Sequence, residues 1–253
     1  MNAPTLNPGR LAALGRSELT LLVRNRATLS VAVLMPASMV FFLRTVVGGD
    51  GAAETARATL TGGIGMVLLL VVYMNPVSAY VARREELVLK RLRSGEAGDL
   101  EILAGTALPA AVIALVQIAA LVAAGAAALG APAPRNPALL LAGILAALPL
   151  LAGMAALTSA FTRSVETAGL TALPLFLVTA LGSGLFADPD ALPGTVASVC
   201  ELLPLSGVMA LVRAGWSGGA GGYELLGAVV TTLAWIMVTV FAVQRWFRWE
   251  PRR

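Results

Sequence analysis

The stretch YVARREELVLKRLRSGEAGDLEIL, residues 80–103, decides how the rest of the chain is read. Ten of the thirty-two charged residues (18 + 14) fall between Arg83 and Glu101. The five bases are Arg83, Arg84, Lys90, Arg91 and Arg93; the five acids are Glu85, Glu86, Glu96, Asp99 and Glu101. Apolar runs flank this island on both sides. Over its 253 residues the chain is 58% hydrophobic and 13% charged. Soluble domains are about 45–50% apolar and about 25% charged. So few polar groups cannot cover a water-soluble fold, and the bilayer is the natural solvent.

The composition also excludes several chemistries. The chain has no His and a single Cys, Cys200. That rules out a disulfide framework, a Cys/His zinc site and any His-dependent triad. The only lysine, Lys90, is not preceded by the glycines of a GxxxxGK[ST] phosphate loop. Seventeen arginines against one lysine, with abundant Ala, Gly and Leu, point to GC-rich coding and a bacterial source. The net charge of +4 is explained by basic residues on one side of a membrane, with no need for nucleic acid.

A helix needs about 20 apolar residues to cross the hydrocarbon core. The runs that meet this requirement are Ala27–Val47, Leu60–Ala82, Ile102–Leu129, Pro137–Phe161, Ala168–Ala187 and Leu225–Trp246. A further apolar stretch, Thr195–Val212, carries Glu201 and is broken by Pro204. The bias of basic residues decides its place. Six spans put fourteen Lys/Arg on the side of the termini and the 83–101 and 162–167 loops, and leave Arg44, Arg57, Arg135 and Arg213 on the other. The expected fold is therefore an all-α membrane protein with six transmembrane helices and both termini in the cytoplasm. Residues 190–215 are read as an external, re-entrant broken helical pair, since irregular backbone at membrane depth must be covered by protein or water.

The N-terminal apolar run is too long for a signal peptide, and no small-residue cleavage site follows it. Before it, residues 1–26 are expected to form an interfacial helix on the cytoplasmic surface. Leu11, Leu14, Leu19 and Leu22 share one side of the wheel, with Arg16 and Arg24 opposite and Arg26 at the membrane edge. The spans hold no central carboxylate, and Gln117 is their clearest mid-span polar group. Ion-coupled transport and intramembrane proteolysis both lack their machinery. Asp188 and Asp190 lie in a loop and read as a turn.

The charged island then needs its own explanation. Ala82–Leu92 is rich in helix formers, and Glu86 stands four residues before Lys90. The second span is expected to continue out of the membrane as a charged helix. SGEAGD breaks it, with Ser94 or Asp99 capping the next helix. Val88, Leu89 and Leu92 form an apolar seam flanked by Arg91 and Arg93. Anchoring alone needs bases but no acids; balanced charge beside an apolar seam fits a docking surface for a soluble protein.

With these residues in place, the chain resembles a type-2 ABC exporter permease, of the kind found in daunorubicin-resistance-type, polysaccharide and lipid exporters. That family carries a pattern near R-E-x-G-T-L-x-x-L-R after the second span, then E-I-L-x-G-K. Matching here are Arg84, Glu85, Leu89, Leu92 and Arg93, then Glu101, Ile102, Leu103 and Gly105. Leu87-Val88 replaces the family's Gly-Thr, and Gly95-Glu96 its Thr-Pro. The resemblance covers nearly the whole chain, which reads as one permease domain, residues 1–253.

The resemblance implies a bacterial plasma-membrane exporter of a hydrophobic or amphipathic substrate. The permease would form a homodimer or pair with a sister permease. Two P-loop ATPase subunits, holding the ATP and magnesium, would dock beneath it. The chain itself would carry no cofactor. Docking is expected at a coupling helix within 83–101, through Arg84, Glu85, Glu86, Leu89, Leu92 and Arg93, and at the interfacial helix. The dimer seam is expected near the second and fifth spans, with Thr171, Thr179 and Ser183 facing the path. The competing reading is a non-transporting membrane partner that recruits a cytoplasmic ATPase.

Overall fold

The computed structural model describes residues 52–94, 98–185 and 193–250, and these contain helices and turns but no strand. The expected first span, the interfacial helix with Arg16, Arg24 and Arg26, and the Asp188/Asp190 loop lie outside them. The elements are α1 (Ala52–Val67), a π-helical segment (Leu68–Met74), α2 (Asn75–Glu85), α3 (Val88–Arg93), α4 (Asp99–Leu129), α5 (Pro137–Phe161), α6 (Ala168–Gly182), α7 (Gly194–Glu201), α8 (Ser206–Ser217) and α9 (Gly222–Trp246).

Among the described residues, four helices are long and apolar enough to cross a membrane: the rod α1–π–α2, α4, α5 and α9. The bent pair α7–α8 makes a fifth if counted as one span. Helix α6 has 15 residues, about 22 Å at 1.5 Å per residue, shorter than a full crossing. It ends five residues before the expected Ala187. Gly184 there takes a left-handed φ of 74°, and the carbonyls of Gly182 and Ser183 accept side-chain hydrogen bonds from Ser206 and Arg213.

The rod forms the centre of the core. Leu60, Ile64, Leu68 and Val72 are fully buried and recur every fourth residue. That spacing overshoots a 3.6-residue turn by about 40° per step. The first two steps lie in α1 and drift round the helix; the last, Leu68 to Val72, lies in the π segment, whose wider i→i+5 turns bring the stripe part of the way back. From Tyr73, near the end of the π segment, Val77, Tyr80 and Arg84 continue the buried face at ordinary helical spacing. Tyr73 Oη donates to the Ala172 carbonyl at 3.1 Å and sits 3.2 Å from Thr158 Oγ1, joining the rod to α5 and α6.

The other long helices are set by local signals. Asn136 caps α5 by accepting from the Leu139 N–H, with Pro137 at its first position. Glu224 reaches back to the Gly221 N–H at the start of α9. Exposed apolar stripes run along α6 (Leu170, Leu173, Leu177, Leu181) and α9 (Leu226, Val230, Leu233, Met237, Phe241). Such stripes are untenable in water and natural against lipid or a second membrane chain.

The bent pair turns by 95° at Leu202–Leu205, which includes Pro204. Helix α8 is almost wholly buried against α5 and α9, whereas no residue of α7 is buried. Trp235 Nε1 donates to the Leu202 carbonyl at 2.7 Å. Trp235 stands 13 residues into α9, so the break lies about 20 Å along that helix from its start.

Candidate functional site

The charged island folds as a hairpin whose two arms are the ends of long helices. The expected single helix over Ala82–Leu92 is broken. Helix α2 stops at Glu85, and Leu87 adopts a left-handed conformation (φ 59°) before α3 begins. Left-handed backbone costs a side-chain-bearing residue roughly 1–2 kcal/mol and costs glycine little. The position is the one where the family pattern carries glycine. The break also removes the expected Glu86–Lys90 pair: Lys90 Nζ instead meets Glu250 Oε1 at 2.8 Å.

Neither Ser94 nor Asp99 caps α4. Gly98 takes the cap position, and its N–H donates to Glu101 Oε2 at 3.0 Å. Ser94 instead ends α3, its Oγ donating to the Arg91 carbonyl. Asp99 accepts both Arg93 Nε (3.1 Å) and Arg93 Nη2 (3.3 Å), a two-point contact across the hairpin. Tyr80 Oη donates to the Leu103 carbonyl at 2.9 Å and ties α2 to α4.

The candidate docking residues divide into two groups. Arg84, expected on the docking face, is only 1% exposed. Its Nη1 donates to the Ser159 carbonyl at 2.8 Å and its Nη2 to the Thr162 carbonyl at 2.6 Å. A cation at the C-terminal end of α5 meets carbonyls with no helical partner and the negative end of the helix dipole. Arg84 is thus an internal strut and not a surface contact. Leu89 is fully buried, and Val88 and Leu92 are half-buried, so the apolar seam faces the bundle. Glu85, Glu86, Leu87, Lys90, Arg91 and Arg93 are exposed.

The chain's C-terminal segment completes the hairpin, a feature that reasoning from the sequence missed. Phe247 and Trp249 leave the end of α9 and pack against the core. Their rings meet edge to face at 4.9 Å, and Phe247 meets Tyr80 at 6.1 Å. The Arg93 guanidinium lies 4.7 Å from the centre of the Trp249 ring. An open cleft of about 720 Å³ lies between α3 and this segment, lined by Lys90, Arg93, Ser94, Arg248, Trp249 and Glu250. The aromatic and basic pattern of RWFRWE was the available signal.

The three candidate path residues do not form one site. Thr171 and Ser183 are 12 positions apart, about 18 Å along a helix axis. Thr171 Oγ1 donates to the Thr167 carbonyl and Ser183 Oγ to the Ala180 carbonyl, so both hydroxyls satisfy their own backbone. Thr179 is buried, and its Oγ1 has no hydrogen-bond partner among the described residues. Gln117 is buried in α4 with its Oε1 likewise unpartnered. The rod's apolar face is consumed inside the chain, which leaves α6 as the open member of the expected seam pair. Among the described residues no group of His, Cys, Asp or Glu has a metal-binding arrangement.

The family model described as ABC-2 type transporter matches residues 10–216, well over half of the chain. No curated protein matches the chain.

Proposed function

The chain belongs to the ABC-2 type transporter family as a membrane permease domain, and from that premise we propose that it is the permease of a bacterial exporter energised by a separate ATPase. The substrate class we infer is hydrophobic or amphipathic: a drug, a lipid or a secondary metabolite. The observation that carries the reading is the hairpin around α3. It projects exposed charge beyond the end of a membrane rod, yet is tied to that rod by buried contacts.

A push on α3 reaches several helices at once. Leu89 seats α3 in the bundle. Tyr80 links α2 to α4, and Arg84 links α2 to the end of α5. The hairpin therefore moves as part of a lever and does not flex alone. ATP and magnesium act in the partner subunit, whose closure would drive this lever.

We place six spans in the working protein: Ala27–Val47, the rod, α4, α5, α6 with its continuation, and α9, with both termini in the cytoplasm. The depth of the break between α7 and α8 supports an external re-entrant pair. The exposed stripe of α6 supports a seam with a second permease there, identical or sister. Relation to the daunorubicin-resistance-type exporters rests on the hairpin motif.

Two measurements test the reading. Purification in mild detergent from the native membrane is expected to bring down a P-loop ATPase. Inverted vesicles holding both proteins are expected to accumulate an amphipathic dye with ATP, and to continue when a protonophore collapses the proton gradient. Uptake that ignores ATP and stops with the protonophore overturns the proposal.

A further inference from the structure

The cleft between α3 and the C-terminal segment has an unbalanced charge. Among the described residues its cations are Lys90, Arg93 and Arg248, and its one acid is Glu250. Glu250 is engaged by Lys90, and Arg93 is engaged by Asp99. Arg248 is exposed and makes no ion pair with a described residue; the same holds for Arg91 on the adjoining surface of α3. Arg248 thus stands at a cleft whose indole is already stacked under a guanidinium, with Arg91 exposed on α3. The cleft is also built, not incidental. The segment that forms its second wall is held by the Tyr80–Phe247–Trp249 ring contacts and packs on the core.

We propose that the C-terminal segment Phe247–Glu250 is a second arm of the partner surface, forming with α3 a basic cleft that accepts an acidic segment of the soluble ATPase. The inference rests on the reading of the chain as an ATPase-driven permease and adds the partner's chemistry to it. The carboxylates of that segment meet Arg248 and Arg91, which offer planar two-point donors. Glu85 and Glu86 stand exposed on the preceding turn. The docking face is therefore bipolar, acidic at the end of α2 and basic at α3 and the tail. Such polarity fixes the orientation of a docked partner more than its raw affinity. Because the tail continues directly from α9, a partner seated in the cleft also pulls on the last span.

The test compares full-length tagged protein with three variants, each purified in mild detergent from its native membrane. The ATPase is measured per unit of bait, and co-purifying anionic phospholipid is measured in the same samples. Arg248→Glu inverts the outward cation, Trp249→Ala removes the wall, and Arg245→Glu is a control outside the cleft. ATPase yield is expected to fall about tenfold in Arg248→Glu, the scale on which an attractive ion pair turned repulsive weakens binding. It is expected to fall in Trp249→Ala and to stay near wild type in Arg245→Glu. Wild-type yield in both cleft variants overturns the cleft alone. An unchanged ATPase yield with loss of anionic lipid from Arg248→Glu assigns the cleft to a headgroup and overturns the proposal. Absence of the ATPase from the wild-type sample overturns the permease reading and the cleft with it.

Discussion

The α2–α3 hairpin and the α7–α8 pair are both broken helices, and they are held by different mixtures of contacts. The hairpin is anchored by polar side chains reaching backbone carbonyls: Arg84 to Ser159 and Thr162, and Tyr80 to Leu103. The α7–α8 pair has such donors too, Ser206 and Arg213 to the end of α6 and Trp235 to the Leu202 carbonyl, and α8 adds close backbone approach. A methyl group on Gly207 would lie 2.5 Å from the Ala228 carbonyl oxygen, and one on Gly215 would lie 2.5 Å from the Leu140 nitrogen. Small residues allow this approach inside membranes, where apolar burial gives little drive for helix association. Long-reaching donors suit the force-transmitting role proposed for the hairpin, because they fix direction as well as distance. Backbone packing suits an element that fills space.

This contrast is open to direct attack. The largest expected effect is at the hairpin's strut. Arg84→Ala removes two charge-assisted hydrogen bonds and leaves the end of α5 without its cation. The expected loss is about 3–5 kcal/mol, read as a collapse of folded yield and a lowered melting temperature in detergent. Arg84→Lys keeps the charge without the fork and is expected to fall between. Next is Gly207→Ala, where the new methyl group meets backbone; overpacking of this kind costs about 1–3 kcal/mol. If Gly207→Ala proves more damaging than Arg84→Ala, the ranking of the two anchors is reversed.

Smaller effects sharpen the comparison. Tyr73→Phe removes only a hydroxyl, with its bonds to Thr158 and Ala172, and should cost about 1 kcal/mol in the same melting experiment. Leu87→Gly is expected to change stability by less than about 1 kcal/mol in the favourable direction. Relief of left-handed strain is there offset by glycine's greater chain entropy. Leu87→Val, branched at Cβ, should destabilise. A destabilised glycine variant would mean that the exposed Leu87 side chain carries contacts beyond its backbone.

Much of the helical layout was legible from composition and spacing. The bounds of α5 match the expected span at both ends, because Asn136-Pro137 is a strong local start signal. The bend at Pro204 was legible for the same reason. The hairpin was harder. Its strong helix formers predicted one helix, but burial of Leu89 and Arg84 on the same side demands a turn at Leu87. Burial of an arginine depends on a carbonyl from 75 residues away, which no local pattern encodes. Arg84 and Glu101, both matched to the family motif, serve to build the hairpin, while Glu85 and Arg93 remain on its surface. The hydroxyls of α6 could not be assigned by residue type, since most hydroxyls in membrane helices bond their own backbone.

The π segment decides where the rod tolerates a change in length. It sets the rotational phase between the two halves of the rod, as a spacer ring sets the angle between two gears. Were Leu68–Met74 to rewind as an ordinary α-helix, α2 would turn about its own axis. Arg84 would swing away from the Ser159 and Thr162 carbonyls, and α3 would point elsewhere. A one-residue deletion within this segment lets it wind as an ordinary α-helix at nearly the same phase, since six α-helical residues turn about as far as seven π-helical ones, whereas a deletion between Met74 and Arg84 turns Arg84 by about 100°.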